Sequence, residues 1–423
     1  MRRAVDYLPR HATAMVEEAL LDTRVVVING ARQVGKSTLA EHVLRGHEGA
    51  TARFLDDAMT RAAAMEDPAR FVQHDGLMLI DEVQRVPDLW LAIKHTVDRD
   101  PRPGRFLLTG SARLLGLRHL PDALPGRSET IELWPLSQGE ISGEPDSFVD
   151  IAFRHGAAMR PRDYRLRRSN YLDRVARGGF PEAIHRDTPR RRRRFFESYL
   201  ADILSRGVRQ VADIRRADDM QRLLSLLAAQ AGGLLNVNRL SNDLQLTAPT
   251  TRSYLDILET IYQIRLVPAW SSGATTRAVG RSKIIFVDSG LAHHLADDAA
   301  ARAPVGGLVE SFVLSELARQ LTWCDIRGRL YHYRDRDGYE VDAVIESSAG
   351  QVIGIEVKAA ESVRTEDFRG LRVLQRRLGE RFRGGFVLYC GPESFSFGDG
   401  LICLPIAALW SADPGQAGPG GIL

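Results

Sequence analysis

At 423 residues the chain is long enough for two to four domains of ordinary size. Its 44% hydrophobic and 26% charged residues are the balance of a globular protein with ample core. No apolar run reaches the length of a membrane-spanning helix, and Met1-Arg2-Arg3-Ala4-Val5-Asp6 leads into no apolar segment of a secretory signal. Three scattered cysteines, Cys324, Cys390 and Cys403, exclude a disulfide framework and a cysteine-rich metal site, so a cytoplasmic protein is expected.

The net charge of +3 hides two features. Of 57 basic residues only Lys36, Lys94, Lys283 and Lys358 are lysine, leaving 57 − 4 = 53 arginines, the bias of a GC-rich genome. Any surviving lysine is therefore worth inspecting. Charge is also uneven: Ile151 to Arg216 carry 18 Arg against 7 Asp and Glu, a local +11 that leaves 3 − 11 = −8 for the rest.

In chain order, Val25-Val26-Val27-Ile28, Leu77-Met78-Leu79-Ile80 and Phe106-Leu107-Leu108 are uninterrupted apolar runs, as expected for strands buried on both faces of a parallel sheet. They predict an α/β domain over residues 1–147. Residues 148–219 read as a basic, helical linker or lid, broken at Gly178-Gly179-Phe180-Pro181. Over residues 220–282, Asn238–Leu244, a turn, a helix from Thr250 to Ile261 and strands at Ile264–Val267 and Lys283–Val287 give a helix–turn–helix followed by a ribbon, the winged-helix pattern. A second α/β domain is expected over 283–411, and 412–423 form a Gly/Pro-rich tail.

The motif with the most chemistry is Gly30-Ala31-Arg32-Gln33-Val34-Gly35-Lys36-Ser37, followed by Thr38, between a strand and a helix. Its glycines let the backbone wrap phosphates while the helix N-terminus aims N–H groups at them. Lys36 is placed for the β- and γ-phosphates of ATP and Ser37 for Mg²⁺. Asp81, ending the next strand, is a second Mg²⁺ holder, and Glu82 a general base for the attacking water. Thr109 ends the third strand, where a polar side chain would sense the γ-phosphate. Arg127 is placed as a finger across a subunit boundary, a role that requires a homo-oligomer.

The P-loop, Ile80-Asp81-Glu82 and Leu108-Thr109-Gly110-Ser111 together resemble a AAA+ ATPase. Adding Gly178-Gly179-Phe180-Pro181-Glu182-Ala183, Phe286-Val287-Asp288-Ser289-Gly290-Leu291 and Ile355-Glu356-Val357-Lys358, the chain is similar over nearly its whole length to prokaryotic AAA+ ATPases fused to a C-terminal domain of unknown function, in which a winged helix precedes a nuclease-like fold. The resemblance implies ATP hydrolysis and DNA association.

A second acidic site follows from the hairpin of Gly338–Asp342 and Gly354–Lys358. Alternation puts Ile353, Ile355 and Val357 on one face and Gly354, Glu356 and Lys358 on the other, with Asp342 on the paired strand. Asp, then Glu-x-Lys after a hairpin, resembles the PD-(D/E)XK nuclease signature. In that reading Asp342, Glu356, the Val357 carbonyl and Glu310 hold Mg²⁺, and Lys358 stabilises developing charge. The same residues also suit an inert nuclease fold or an ordinary charged sheet face. For DNA, the sequence offers the arginines of 151–216, including Arg190–Arg194, as a phosphate-backbone surface, and Thr250, Thr251, Arg252 and Tyr254 as groove contacts. A solvated helix and a protein-contacting winged helix remain the alternatives.

These readings make the protein a Mg²⁺-dependent ATPase that couples hydrolysis to DNA processing, with a possible metal-dependent nuclease at its C-terminus. The alternatives are a remodelling or branch-migration motor with an inert nuclease fold, and a nucleotide-gated switch controlling assembly or partner binding.

Overall fold

A computed structural model describes residues 7–111, 124–159, 165–207, 217–271, 280–298 and 304–412. The chain divides into two units, one built on the first 136 residues and the other on most of the remainder. The boundary falls at Leu136/Ser137, ahead of the 147/148 division that composition suggests.

In the first unit, helix α1 (Ala12–Asp22) leads into β1 (Val25–Asn29), and α2 (Lys36–Leu44) follows the phosphate loop. Then come β2 (Thr51–Phe54), α3 (Ala58–Glu66), α4 (Pro68–Phe71), β3 (Met78–Asp81), α5 (Leu89–Arg99), β4 (Phe106–Gly110) and β5 (Ser128–Glu132). The five strands form one parallel sheet in the order β2-β3-β4-β1-β5. Every residue of β1, β3 and β4 is buried, which is why these runs are apolar throughout rather than alternating. Leu89, Trp90, Ile93 and Val97 of α5 pack with Val25, Val27, Met78, Ile80, Phe106 and Leu108 on one face. Each such side chain contributes about 1.5–3 kcal/mol by burial. Because β4 lies between β1 and β3, the C-terminal ends of all three strands meet at one edge.

The second unit opens with α6 (Gln138–Ser142), α7 (Phe148–His155), α8 (Arg168–Arg177), α9 (Pro181–Ile184) and α10 (Pro189–Asp202). A reciprocal cap starts α6: Ser137 Oγ accepts from Glu140 N–H at 3.0 Å, and Glu140 Oε2 accepts from Ser137 N–H at 3.0 Å. Helices α11 (Ala217–Ala228), α12 (Val237–Leu244) and α13 (Ala248–Thr260) precede the antiparallel ribbon of β6 (Ile264–Val267) and β7 (Lys283–Phe286). Helix α13 starts two residues before the expected Thr250, because Pro249 fits a first turn whose N–H groups need no partner within the helix.

Helices α14 (Ser289–Asp298) and α15 (Val305–Trp323) lead to β8 (Gly328–Arg334), β9 (Glu340–Ser347), β10 (Val352–Lys358), α16 (Arg369–Leu378), β11 (Phe382–Tyr389), β12 (Phe395–Ser396), β13 (Leu401–Pro405) and α17 (Ala408–Ser411). The strands form a mixed sheet in the order β12-β13-β11-β10-β9-β8, with the expected β9–β10 hairpin antiparallel and β10–β11 parallel. Leu371, Leu374 and Leu378, at helical spacing on α16, cover one face with Val341, Val344, Val352 and Val387. A Cβ on Gly370 would lie 1.8 Å from Glu340 O, so only glycine lets α16 approach that closely. Among the described residues no helix is long and apolar enough to cross a membrane.

Candidate functional sites

The phosphate loop is set by backbone constraints at its two ends. A Cβ on Gly30 would stand 2.1 Å from Leu133 O, and Gly35 has φ +95°, a left-handed conformation at the entry to α2. Arg10 braces the loop from outside the motif, donating to Val34 O at 2.9 Å and to Trp134 O at 2.6 Å. Within the loop, Lys36 Nζ donates to Gly30 O at 3.2 Å and Ala31 O at 2.8 Å. Burial lowers its pKa to about 8, so the ammonium is held by neutral carbonyls in a place where phosphate charge would stabilise it strongly.

The strand ends supply the remaining groups. Ser37 Oγ donates to Asp81 Oδ1 at 2.7 Å, and Thr109 Oγ1 donates to the same oxygen at 2.6 Å. In an octahedral Mg²⁺ shell, with oxygens at about 2.0–2.1 Å from the ion, neighbouring ligands sit roughly 2.9 Å apart. The Ser37–Asp81 oxygen pair fits that spacing, and both are the hard donors the ion prefers. Thr109 Oγ1 also accepts the N–H of Glu82 at 2.9 Å. That bond supports a left-handed backbone at Glu82 (φ +56°), a strained conformation for a non-glycine residue. Thr109 thus orients both acids.

The Glu82 carboxylate accepts from Ser111 Oγ at 3.0 Å and from Gln84 Nε2, which also donates to Ser111 Oγ at 3.0 Å. Gln84 Oε1 is buried with no hydrogen-bond partner among the described residues, a polar atom beside the base available to a water. Sequence reasoning passed over Gln84, Arg10 and the role of Ser111, although Ser111 stood in the quoted Thr-Gly-Ser string.

Arg127 is not brought to this site within its own subunit. Its carbonyl pairs with Val25 N–H at the start of β1, whereas the loop leaves β1 after Asn29, about 13 Å further along the strand. Its guanidinium is bound to Asp98 and to Pro125 O.

In the second unit the β9–β10 hairpin brings Asp342, Glu356 and Lys358 together, and α15 and β7 add Glu310 and Lys283. Lys283 Nζ donates to Asp342 Oδ1 at 2.8 Å and to Glu310 Oε1. Asp342 Oδ2 accepts from the Val357 N–H at 2.9 Å, and Lys358 Nζ bridges Glu356 Oε1 at 2.9 Å and Asp367 at 3.5 Å. Burial and then the Asp342 charge push the Glu310 and Glu356 carboxyls up to about 8. Burial disfavours the Lys283 charge, but Asp342 and Glu310 outweigh it and hold the pKa above the usual lysine value. Lys283 escaped the sequence reading because it lies 27 residues from Glu310 and 59 from Asp342 in the chain.

Nearby, His332 is buried, with Nε2 against Arg281 O at 2.9 Å and Nδ1 without a partner among the described residues. Burial lowers its pKa to about 4. The unfolded chain therefore takes up a proton between roughly pH 6.5 and 4 that the folded chain refuses, and stability falls as pH falls through that window. Between pH 7.5 and pH 5 this group is expected to cost about 2 kcal/mol, from a shift of about 2.5 units at 1.36 kcal/mol each, not yet complete at pH 5. Denaturant titrations of wild type and His332→Gln at the two pH values test it. The variant should lose less stability on acidification.

The strings Gly178-Gly179-Phe180-Pro181 and Val287-Asp288-Ser289-Gly290-Leu291 meet in a structural joint. Asp288, fully buried, accepts from Leu291 N–H at 2.8 Å, capping α14, and from Gly179 N–H at 2.6 Å. A Cβ on Gly178 would meet Asp288 Oδ1 at 2.4 Å, and one on Gly290 would meet Arg177 O at 2.8 Å. Both glycines are there for close approach.

Residues 22–142 match the family model described as an AAA domain. The first unit is an AAA-type ATPase domain. Behind the ATPase domain, residues 168–302 and 305–409 match two domains of unknown function, DUF8612 and DUF4143. Uncharacterized proteins of Mycobacterium tuberculosis and Mycobacterium bovis are each 29% identical over 405 residues, covering 94% of this chain and 83% of theirs. Among solved structures, the Walker-type ATPase Paby2304 of Pyrococcus abyssi aligns with a TM-score of 0.42 at 16% identity, over 69% of this chain and 97% of that one. AMPPCP-bound DnaA from Aquifex aeolicus aligns at 0.31 and 14%, over 59% and 87%.

Outside the ATPase domain, α10 leaves Arg190, Arg191, Arg193 and Arg194 exposed, with Arg193 3.7 Å from Asp297 and Arg192 turned onto Arg186 O. On α13 the structure corrects one expected groove contact. Thr251 is fully buried, its hydroxyl accepting from Ser241 Oγ at 2.9 Å and donating to Thr247 O at 3.1 Å. One helical face has to pack on α12, and Thr251 lies on it. Arg252 is exposed, and Thr250 and Tyr254 are half-buried.

Proposed function

We propose that this protein is a Mg²⁺-dependent ATPase whose hydrolysis cycle is coupled to DNA held by its second unit. Ser37 and Asp81 would hold the ion, which neutralises phosphate charge when bound. Lys36 binds the phosphates, Thr109 orients the two acids, and Glu82 takes the proton of the attacking water. The observation that carries the DNA reading is the pinning of α13 onto α12 by the Ser241–Thr251 hydrogen bond, which leaves Arg252 on the open side of a helix–turn–helix that the β6–β7 ribbon follows. The exposed arginines of α10 add a sequence-independent phosphate surface.

The test is ATP turnover and DNA binding measured with duplex, single-stranded and branched DNA over a series of salt concentrations. Turnover is expected to rise with DNA, and Arg252→Ala to weaken binding by about 1–3 kcal/mol if it reads a base edge. Removing Arg190 and Arg191 should flatten the salt dependence instead. Turnover indifferent to every DNA, with no binding at low salt, would replace this reading with a nucleotide-gated switch acting on another partner.

A further inference from the structure

We propose that Lys283 is the resident cation of the C-terminal carboxylate site, occupying with its ammonium the place a divalent metal takes in a metal-dependent nuclease. The domain then works as a lysine-held joint and does not cleave phosphodiesters. This inference is independent of whether the protein binds DNA.

Three observations carry it. First, each carboxylate of the cluster already gives at least one oxygen to a donor of the chain itself, and Asp342 gives both. Lys283 Nζ lies between Asp342 Oδ1, at 2.8 Å, and Glu310 Oε1, while Asp342 Oδ2 holds the Val357 N–H at 2.9 Å. Glu356 Oε1 is taken by Lys358 at 2.9 Å. Second, two ammonium groups already stand against Glu310, Asp342 and Glu356. A divalent ion added between Glu310 and Asp342 would stand against the Lys283 ammonium, a repulsion little screened because that side chain is only 7% exposed. Among the described residues no three His, Cys, Asp or Glu side chains are disposed to hold a metal ion.

Third, Lys283 is a structural keystone. As the first residue of β7 it pairs with Val267 of β6, while its side chain reaches Glu310 on α15 and Asp342 on β9. The adjacent Ile284 exchanges backbone hydrogen bonds with Gly232 and Gly233, at 2.9 and 3.1 Å, after α11. One ammonium therefore ties the helix-and-ribbon region to the C-terminal sheet. A hydrated metal ion between the same carboxylates would leave β7 without its side-chain tie to α15 and β9. In a chain where 53 of 57 basic residues are arginine, a lysine here also makes steric sense: a compact ammonium fits between two carboxylates that a planar guanidinium would push apart.

The experiment titrates Mn²⁺ into the nucleotide-free full-length protein and counts bound ion by electron paramagnetic resonance. Wild type, Asp342→Asn, Lys283→Gln and the Lys283→Gln/Asp342→Asn double variant are compared, with cleavage of labelled duplex and branched DNA followed in parallel. Mn²⁺ binding by wild type should be the same as by Asp342→Asn, with no ion held by Asp342 below about 1 mM. Lys283→Gln should gain a site binding Mn²⁺ roughly tenfold or more tightly, and the double variant should lose it. A Lys283→Gln protein that folds only with Mn²⁺ present supports the proposal equally, because the ion then replaces the ammonium. Wild-type Mn²⁺ binding or DNA cleavage that disappears in Asp342→Asn overturns it, as does a folded Lys283→Gln that gains no ion. Should Lys283→Gln fail to fold under all conditions, the comparison of wild type with Asp342→Asn decides alone.

Discussion

Replacing Glu82 with glutamine is expected to lower ATP turnover by about 10²–10⁴-fold while ATP still binds, the range associated with losing a positioned general base. The geometry explains the asymmetry between binding and turnover. The Glu82 carboxylate is held by Ser111 and Gln84, and its backbone by Thr109. A carboxamide keeps nearly the same shape and leaves the hydrogen bonds of Lys36, Ser37 and Asp81 in place, but it cannot accept a proton from water. Lys36→Ala is the complementary variant and should abolish nucleotide binding itself, because the buried ammonium is the phosphate-facing charge of the loop. Equilibrium binding of a fluorescent ATP analogue together with phosphate release separates the two effects. Wild-type turnover in Glu82→Gln would remove Glu82 from the role of base.

The second large effect is on stability. Asp288→Ala is expected to cost the second unit about 3 kcal/mol, through two losses that add. Removing an N-cap costs about 0.5–2 kcal/mol, here for α14 through Leu291. Leaving a buried N–H without an acceptor costs a further 1–3 kcal/mol or so, here at Gly179. Cβ contacts at Gly178 and Gly290 show how tightly the joint closes, so it has little room to admit a replacing water. Asp288→Asn keeps one acceptor oxygen and should lose distinctly less. Chemical denaturation followed by tryptophan fluorescence measures both variants. Equal losses for Ala and Asn would show that the charge, rather than the hydrogen bonds, holds the joint.

The ATPase domain was legible because its signals are local. The phosphate loop needs glycine where backbone approaches backbone, as at Gly30, and where φ turns positive, as at Gly35. Strands covered on both faces need continuous apolar runs, so Val25–Ile28, Met78–Ile80 and Phe106–Leu108 announced themselves, and the acids and threonine ending them followed. The β9–β10 hairpin was equally local, and alternation placed Glu356 and Lys358 on one side of it.

What the sequence by itself determined, then, were the phosphate loop, the strand-end groups around it and the pairing that sets Asp342 beside Glu356. Tertiary structure alone decided which cation those carboxylates meet, since Lys283 reaches them from another ribbon and electrostatic pairing follows distance in space, not along the chain. It alone decided that Thr251 packs inward while Arg252 stays open, because the inward face of α13 is whichever one α12 covers. Arg127 stands just before β5, at the edge of the sheet opposite its own chain's phosphate loop. A parallel sheet sends the start of each strand to the edge opposite its end, and no spacing between motifs records which edge a residue occupies.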